Sequence, residues 1–246
     1  MQRNETFAIA SPHIEIDNAS GRVDFVNRDD ATVVVTVETM TPSADEIVTA
    51  TKIVAHGDVV KVSVPNRSGF RKREILVRIE MPSSARVNVS TVNADVECHG
   101  AVDQAVVKTI SGDIRFDTVV RSAELKTISG DIEISHSPSD ISVTSTSGDI
   151  RLNHFSGQCN VKSVSGDCLL HATGAGEMNV KTVSGDVSVL LEPDIDIDVA
   201  LQSVSGRLSS EIDLEASSSP KSGPSLTIHS KTVSGDVRIR RVSLVG

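Results

Sequence analysis

Seven residues, KTISGDI at Lys108–Ile114, recur down the second half of the chain and set what it can fold into. Further copies stand at Lys126–Ile132, Thr144–Ile150 (TSTSGDI), Lys162–Cys168 (KSVSGDC), Lys181–Val187 and Lys231–Val237 (both KTVSGDV). A degraded copy, QSVSGRL, occupies Gln202–Leu208. Their serines advance by 18, 18, 18, 19, 21 and 29 residues. A period near 20, with short insertions late in the series, is the signature of a stacked repeat in which each copy is one coil. The expected fold class is therefore all-β, a parallel β-solenoid or β-helix. One domain over 1–246 is expected, with irregular coils over 1–90, regular coils over 91–246 and a flexible insertion at 216–225.

The first ninety residues read as strands with longer connections. His13-Ile14-Glu15-Ile16 alternates, and Ser20-Gly21-Arg22-Val23-Asp24-Phe25 has the look of an early turn-plus-strand copy. Ala31–Glu38 is a strand by its β-branched content. Ser43-Ala44-Asp45-Glu46 fits a capping box, which predicts a helix of about two turns running to Lys52, with a strand as the alternative. Arg67–Arg73, RSGFRKR, reads as a solvated basic turn. Asn93-Ala94-Asp95 lies 18 residues ahead of Ser111-Gly112-Asp113 and reads as a drifted corner. Ser217–Pro224 is a loop that accounts for the long last step, and Val237–Val245 is expected to close the stack. Arg238, Arg240 and Arg241 would then blunt its open edge.

Parity assigns each column of the repeat. Six, four and two places before the serine stand aliphatic, aliphatic and Thr/Ser residues, as in Ile141, Val143 and Ser145. Side chains two apart on a strand share a face, so the hydroxyl column points inward with the aliphatic ones. Outward threonines of the ice-binding kind would force the lysine column into the core, which desolvation forbids. Ile114 and Phe116, and their counterparts, form a second inward strand, so Ser-Gly-Asp must turn a corner between the two.

That corner stacks Asp113, Asp131, Asp149, Asp167, Asp186 and Asp236 at a strand spacing of about 4.8 Å, and unrelieved carboxylates at that distance repel. Calcium is one remedy, although calcium-binding solenoids carry a denser Gly-Asp repeat. The other is the column Lys108, Lys126, Lys162, Lys181 and Lys231, five residues earlier. The expected arrangement is a structural Lys/Asp ladder. Cys98, Cys159 and Cys168 fall in inward columns and read as small core residues. His136 and His154 share a column with His171 one place off it. They read as exposed turn residues, with weak zinc or nickel binding as the alternative.

Composition narrows the function classes. A net charge of −9 opposes binding to a nucleic-acid backbone, and five Phe with no Tyr or Trp leave few stacking platforms. Mean hydropathy is −0.03, and no run reaches the length of a spanning helix. With Met1 as the natural start no secretory signal is visible, so a cytoplasmic location is expected, peripheral to the envelope at most through a partner. No catalytic, cofactor or metal site is expected. No GxSxG, HExxH, P-loop or dinucleotide fingerprint occurs.

The SGD copies, the Met81-Pro82 strand boundary and the opening HIEIDNASGRVDF together resemble the bacterial putative-adhesin family of unknown function. More distantly they are similar to adhesin head domains of autotransporter type. The resemblance implies a β-solenoid of bacterial origin, with relatives in envelope and membrane-stress proteins, and no catalytic residues. The expected function is a non-catalytic interaction scaffold for a protein or cell-envelope component, acting as a monomer or weak homo-oligomer. A polysaccharide-active β-helix enzyme is the alternative.

Overall fold

The computed structural model describes residues 1–39, 45–65, 75–137, 140–211 and 223–242. Among these residues it is all-β with one short helix. Strands β1 (Gln2–Ala8), β2 (His13–Asn27) and β3 (Thr32–Thr39) precede α1 (Asp45–Ala50), and β4 (Lys52–His56), β5 (Val59–Ser63) and β6 (Ile75–Met81) follow. Alternation in β3 buries Val33, Val35 and Val37 on one face. The helix opens on Asp45 and Glu46 and buries Ile47 and Val48. It stops short of Lys52, because Thr51 turns its hydroxyl back onto the Ile47 carbonyl at 2.8 Å and β4 begins. Three pairings here are antiparallel, β1 with β3, β3 with β6 and β4 with β5, while β5 and β6 also pair parallel with β2. The basic segment 67–73 lies outside the described residues.

From β7 (Arg86–Lys108) onward the pairing becomes parallel. Strands β8 (Ile114–Ser129), β9 (Ile132–His136), β10 (Asp140–Ser147), β11 (Ile150–Ser165), β12 (Cys168–Ser184) and β13 (Val187–Leu191) stack with the sequence period. Ile141 pairs with Ala123 below and Cys159 above, and Ile150 with Ile132 and Cys168. Both β9 and β10 pair with β8 and with β11, so these four strands close into a ring of hydrogen-bonded neighbours. Phe116, Leu125, Ile134, Val143 and Leu152 fill the interior.

Both ends of the stack exchange chain order. Strand β2 sits between β5/β6 and β7: Ile14 pairs with Val60 and Val87, and Val23 with Val77 and Val96. Ser20 and Gly21 pair with Asn93 and Ala94, as an early corner copy should. At the other end β14 (Asp196–Ser205) and β15 (Leu208–Ser210) are followed by β16 (Ser225–Ser234) and β17 (Val237–Arg241). Ile228 pairs with Met178 and Val199, and Val237 with Val187 and Leu208. The last copy in sequence is thus interior, and the degraded QSVSGRL tier lies outermost.

This corrects the expectation that residues 237–245 close the stack. The 29-residue step supplies enough chain to pass over one tier and return beneath it; residues 212–222 of that connection lie outside the described residues. Two of the three arginines bond within the stack, while Arg240 is exposed. Arg238 pairs with Asp186 and Asp236, and Arg241 donates to the carbonyls of Glu192, Pro193 and Ile195.

Candidate functional site

The corner is built as parity demands. Thr109, Thr127, Ser145, Ser163, Thr182 and Thr232 are buried, while Lys108, Lys126, Lys162, Lys181 and Lys231 are exposed. Between them and the next inward strand the glycine turns the chain: Gly130 has φ +145°, and a Cβ there would stand 2.2 Å from the Gly112 carbonyl oxygen of the tier below. No other residue type accepts both that torsion and that approach.

Each corner aspartate then bonds the tier above. The backbone N–H of Asp113 donates to Asp95 Oδ1 at 2.9 Å, Asp131 to Asp113 at 2.9 Å, and Asp149 to Asp131 at 2.9 Å. Asp167 donates to Asp149 at 3.0 Å, Asp186 to Asp167 at 2.8 Å, and Asp236 to Asp186 at 2.9 Å. Arg207 ends the series on Asp236 Oδ1 at 2.8 Å. At the opposite end Arg22 is in register with Asp95 and binds Glu97 at 2.6 Å. A carboxylate accepting a backbone N–H is a charge-assisted bond, so the row of acids is held by the backbone itself.

The lysine column does not supply the expected relief. Among the described residues no lysine of that column pairs with a corner aspartate, and Lys126 turns to Glu124 on its own strand. Arginines two residues past the corner take the second oxygens: Arg115 on Asp113 at 2.6 Å, Arg151 on Asp149 at 3.2 Å, and Arg238 on both Asp186 and Asp236. Reach explains the difference. A residue two past the aspartate lies on the same outward strand face beside it, while the lysine lies across the corner. The Arg207 N–H first, then Arg238, holds the Asp236 carboxyl below its ordinary value. With Oδ1 engaged along the ladder, the donor set does not suit calcium, and no cluster of three or more His, Cys, Asp or Glu among the described residues has metal-holding geometry.

The imidazoles stack instead of converging. His136 and His154 have ring centroids 4.9 Å apart and 10° from parallel, and His171 follows at 4.8 Å, tilted 50°. His171 Nε2 also meets Glu192 Oε1 at 3.1 Å. His154 has φ +46°. Its partial burial first, then the neighbouring imidazoles of His171 and His136, lower its pKa. Cys98, Cys159 and Cys168 are buried in the inward columns, where burial pushes each thiol up to about 12. They are inert core residues.

Sequence reasoning passed over one feature. The residue just before the corner is outward and, in seven of eight tiers, aliphatic: Val92 before Asn93, and Ile110, Ile128, Val164, Val183, Val233 and Val204 before a serine, with Thr146 in the fourth tier. These seven are among eleven exposed large apolar side chains, so the exposure is patterned and not scattered. The row was visible as the I or V of every TISG and SVSG, masked by its wrong parity for a core position. It runs beside the lysine row on the same strand face, and the corner serines and glycines separate it from the aspartate row.

Residues 11–243 match Toastrack DUF4097 along nearly the whole chain. The protein belongs to the Toastrack DUF4097 family. No curated protein matches it. This Toastrack chain is similar to the crystal structure of a "putative adhesin" from Parabacteroides distasonis, at 13% identity, 98% of this chain, 97% of that chain and a TM-score of 0.51. A "putative adhesin" from Bacteroides fragilis matches at 13%, 98% and 97% with a TM-score of 0.48. A "putative lipid binding protein" from P. distasonis matches at 12%, 98% and 97% with a TM-score of 0.34. At such identities the likeness to the first speaks to fold alone.

Proposed function

We propose that the chain is a β-solenoid serving as a non-catalytic, adhesin-like binding scaffold for a protein or cell-envelope component. The solenoid reading rests on the parallel register of one tier per repeat. The binding reading rests chiefly on how the acids are spent: the corner carboxylates are tied to backbone N–H groups tier after tier. Carboxylates fixed in that way are structural columns, whereas glycoside cleavage needs a pair facing each other across a sugar. A groove of about 600 Å³ beside Ser83, Arg86 and Val120 holds one acid, Asp103, already paired with Arg121. A second groove of about 220 Å³ is lined by Asp149, Asp167 and Asp186, acids already held in the ladder. Beyond it a partner meets outer faces of repeated side chains, the surface repeat stacks use for recognition.

The test pairs a pull-down from bacterial lysate and envelope fractions with a hydrolysis screen on envelope polysaccharides. Reproducible capture without turnover is expected. Turnover of any glycan, abolished by a single carboxylate substitution, ends the scaffold reading in favour of the β-helix enzyme.

A further inference from the structure

The aliphatic row needs a partner of matching chemistry, and three observations narrow what it is. The row is straight and repeats at the tier spacing of about 4.8 Å, giving roughly 34 Å over eight tiers. On one side lies the lysine row, of which Lys108, Lys162, Lys181 and Lys231 have no ion-pair partner among the described residues. On the other, past the corner serines and glycines, lies the aspartate row, where Asp131 and Asp167 have no arginine on their second oxygen. Those two tiers carry Lys162, which is unpaired, and Lys126, which would have to leave Glu124, whereas the tier in which Thr144 replaces lysine already has Arg151 on Asp149.

A surface with lysines on one edge, aliphatic groups beside them and aspartates past the corner serines is complementary to itself. Rotation about a two-fold axis parallel to the stack lays each aliphatic residue against its own copy and the lysine row against the other copy's aspartate row. A two-fold axis across the stack would oppose lysine to lysine. The tier spacing then matches along the full length, because both surfaces share one repeat. An anionic membrane fits less well, since acids border the strip and Glu177, Asp140 and Asp198 lie beyond the lysines on a chain of net charge −9.

We propose that two copies of this chain associate side by side through the row centred on Ile128 and Val164, parallel and in register. The buried area is on the order of 400 Å² on each copy, below the usual ~800 Å² of a stable interface, so the association is weak and salt-sensitive. This deepens the scaffold reading by naming a partner, and the two fail separately. Glycan turnover would end that reading and leave the strip standing.

Sedimentation velocity of the full chain over rising concentration reads the equilibrium. Ile128→Thr with Val164→Thr, a residue the column already carries at Thr146, is expected to raise the dimer dissociation constant about tenfold. Thermal melts of the same variant show whether the tiers stay folded. Orientation is read by cross-linking: Ile128→Cys and Val92→Cys should each form a disulfide with its own copy, while the buried native cysteines stay silent. A strictly monomeric wild type at several hundred micromolar overturns the proposal. So does a sedimentation profile that the threonines leave unchanged while the melting temperature falls, since the row would then serve the fold alone. Cross-linking of Val92→Cys only to Val204→Cys overturns the parallel arrangement. Row-dependent binding of a monomer to phosphatidylglycerol vesicles replaces it with a membrane surface.

Discussion

The backbone N–H of Arg207 donates to Asp236 Oδ1 at 2.8 Å across 29 residues of sequence. This contact explains the one repeat in which the corner acid is lost. Each aspartate accepts from the tier stacked beyond it, and the Arg207 tier is outermost, with β15 pairing only to β17 among the described residues. A carboxylate there would have no N–H to accept and would add charge beside Asp236. At the other end the direction is reversed: Arg22, in register with Asp95, stands where an acceptor for the Asp95 N–H would be, and it binds Glu97 instead. Asp149→Ala should therefore cost about 0.5–1.5 kcal/mol by removing the bond to the exposed Asp167 N–H, and Asp149→Asn less, because its Oδ1 still accepts. Arg207→Ala keeps the backbone donor and should stay within about 0.5 kcal/mol of wild type. Urea unfolding of the three variants measures the order.

Two glycines separate torsion from crowding. Gly57 has φ +62°, and a Cβ added there would meet nothing within 4 Å, so Gly57→Ala faces only the left-handed penalty of about 1–2 kcal/mol. Gly130 adds a 2.2 Å collision with the Gly112 carbonyl, which the tier below cannot relieve without breaking its own bonds. Gly130→Ala should cost more than about 4 kcal/mol, in the range where single substitutions are exceptional. Circular-dichroism melts of both variants give the comparison.

How much of this was legible can be traced residue by residue. Ile141, Cys159 and Ser145 show their burial in the sequence, because a period of 18 joined to a strand period of two leaves each position one face. The tier order at the ends was not legible. Nothing in KTVSGDV at Lys231 distinguishes it from the copy at Lys181, and the exchange depends on loop reach, which is a tertiary matter. The arginines on Asp113 and Asp149 were missed for another reason. Charge was matched by column frequency, which favours lysine, while pairing is decided by which side chain stands beside the carboxylate. Thr127 adds a polar detail: its buried hydroxyl has no hydrogen-bond partner among the described residues, so its isostere is informative.

Thr127→Val keeps the shape and removes that unpaired hydroxyl. Replacing a buried polar group that bonds nothing by an apolar one of equal size should be neutral or stabilising by about 1 kcal/mol. Thr91→Val is the contrast, since Thr91 Oγ1 accepts the Ala94 N–H at 3.0 Å, and it should destabilise by about 1–2 kcal/mol. Denaturant midpoints at constant slope decide between them.

His154 gives the stack a pH dependence of known sign. Its pKa is lowered in the fold by partial burial and by His171 and His136, with Glu192 opposing. The unfolded chain therefore binds the proton more readily than the folded one. The stability it contributes is present above the unfolded value of 6.5 and declines as pH falls through that value toward the folded one. Melting temperature should drop between pH 7.5 and 5.5, and His154→Asn, which tolerates φ +46°, should flatten that drop. An equal slope in the variant would assign the effect elsewhere.

The exchanged tier order makes the last strands more important than chain ends usually are. Among the described residues β14 pairs only with β16 and β15 only with β17, so Asp196–Ser210 has no strand partner until Ser225–Arg241 is in place. Terminal segments commonly fray at little cost. Here, deleting everything after Glu211 removes a tier from inside the stack and orphans the one beyond it. Leu226, Ile228, Val237 and Ile239, all buried, leave with it and uncover Met178, Val180, Val187 and Val189. Limited proteolysis should then cut within residues 196–211 in the truncated chain and spare them in the full one, while β8 to β11 stay protected in both. Protection of residues 196–211 after truncation would mean that β14 can dock directly on β12, and that the register seen here is one of two available.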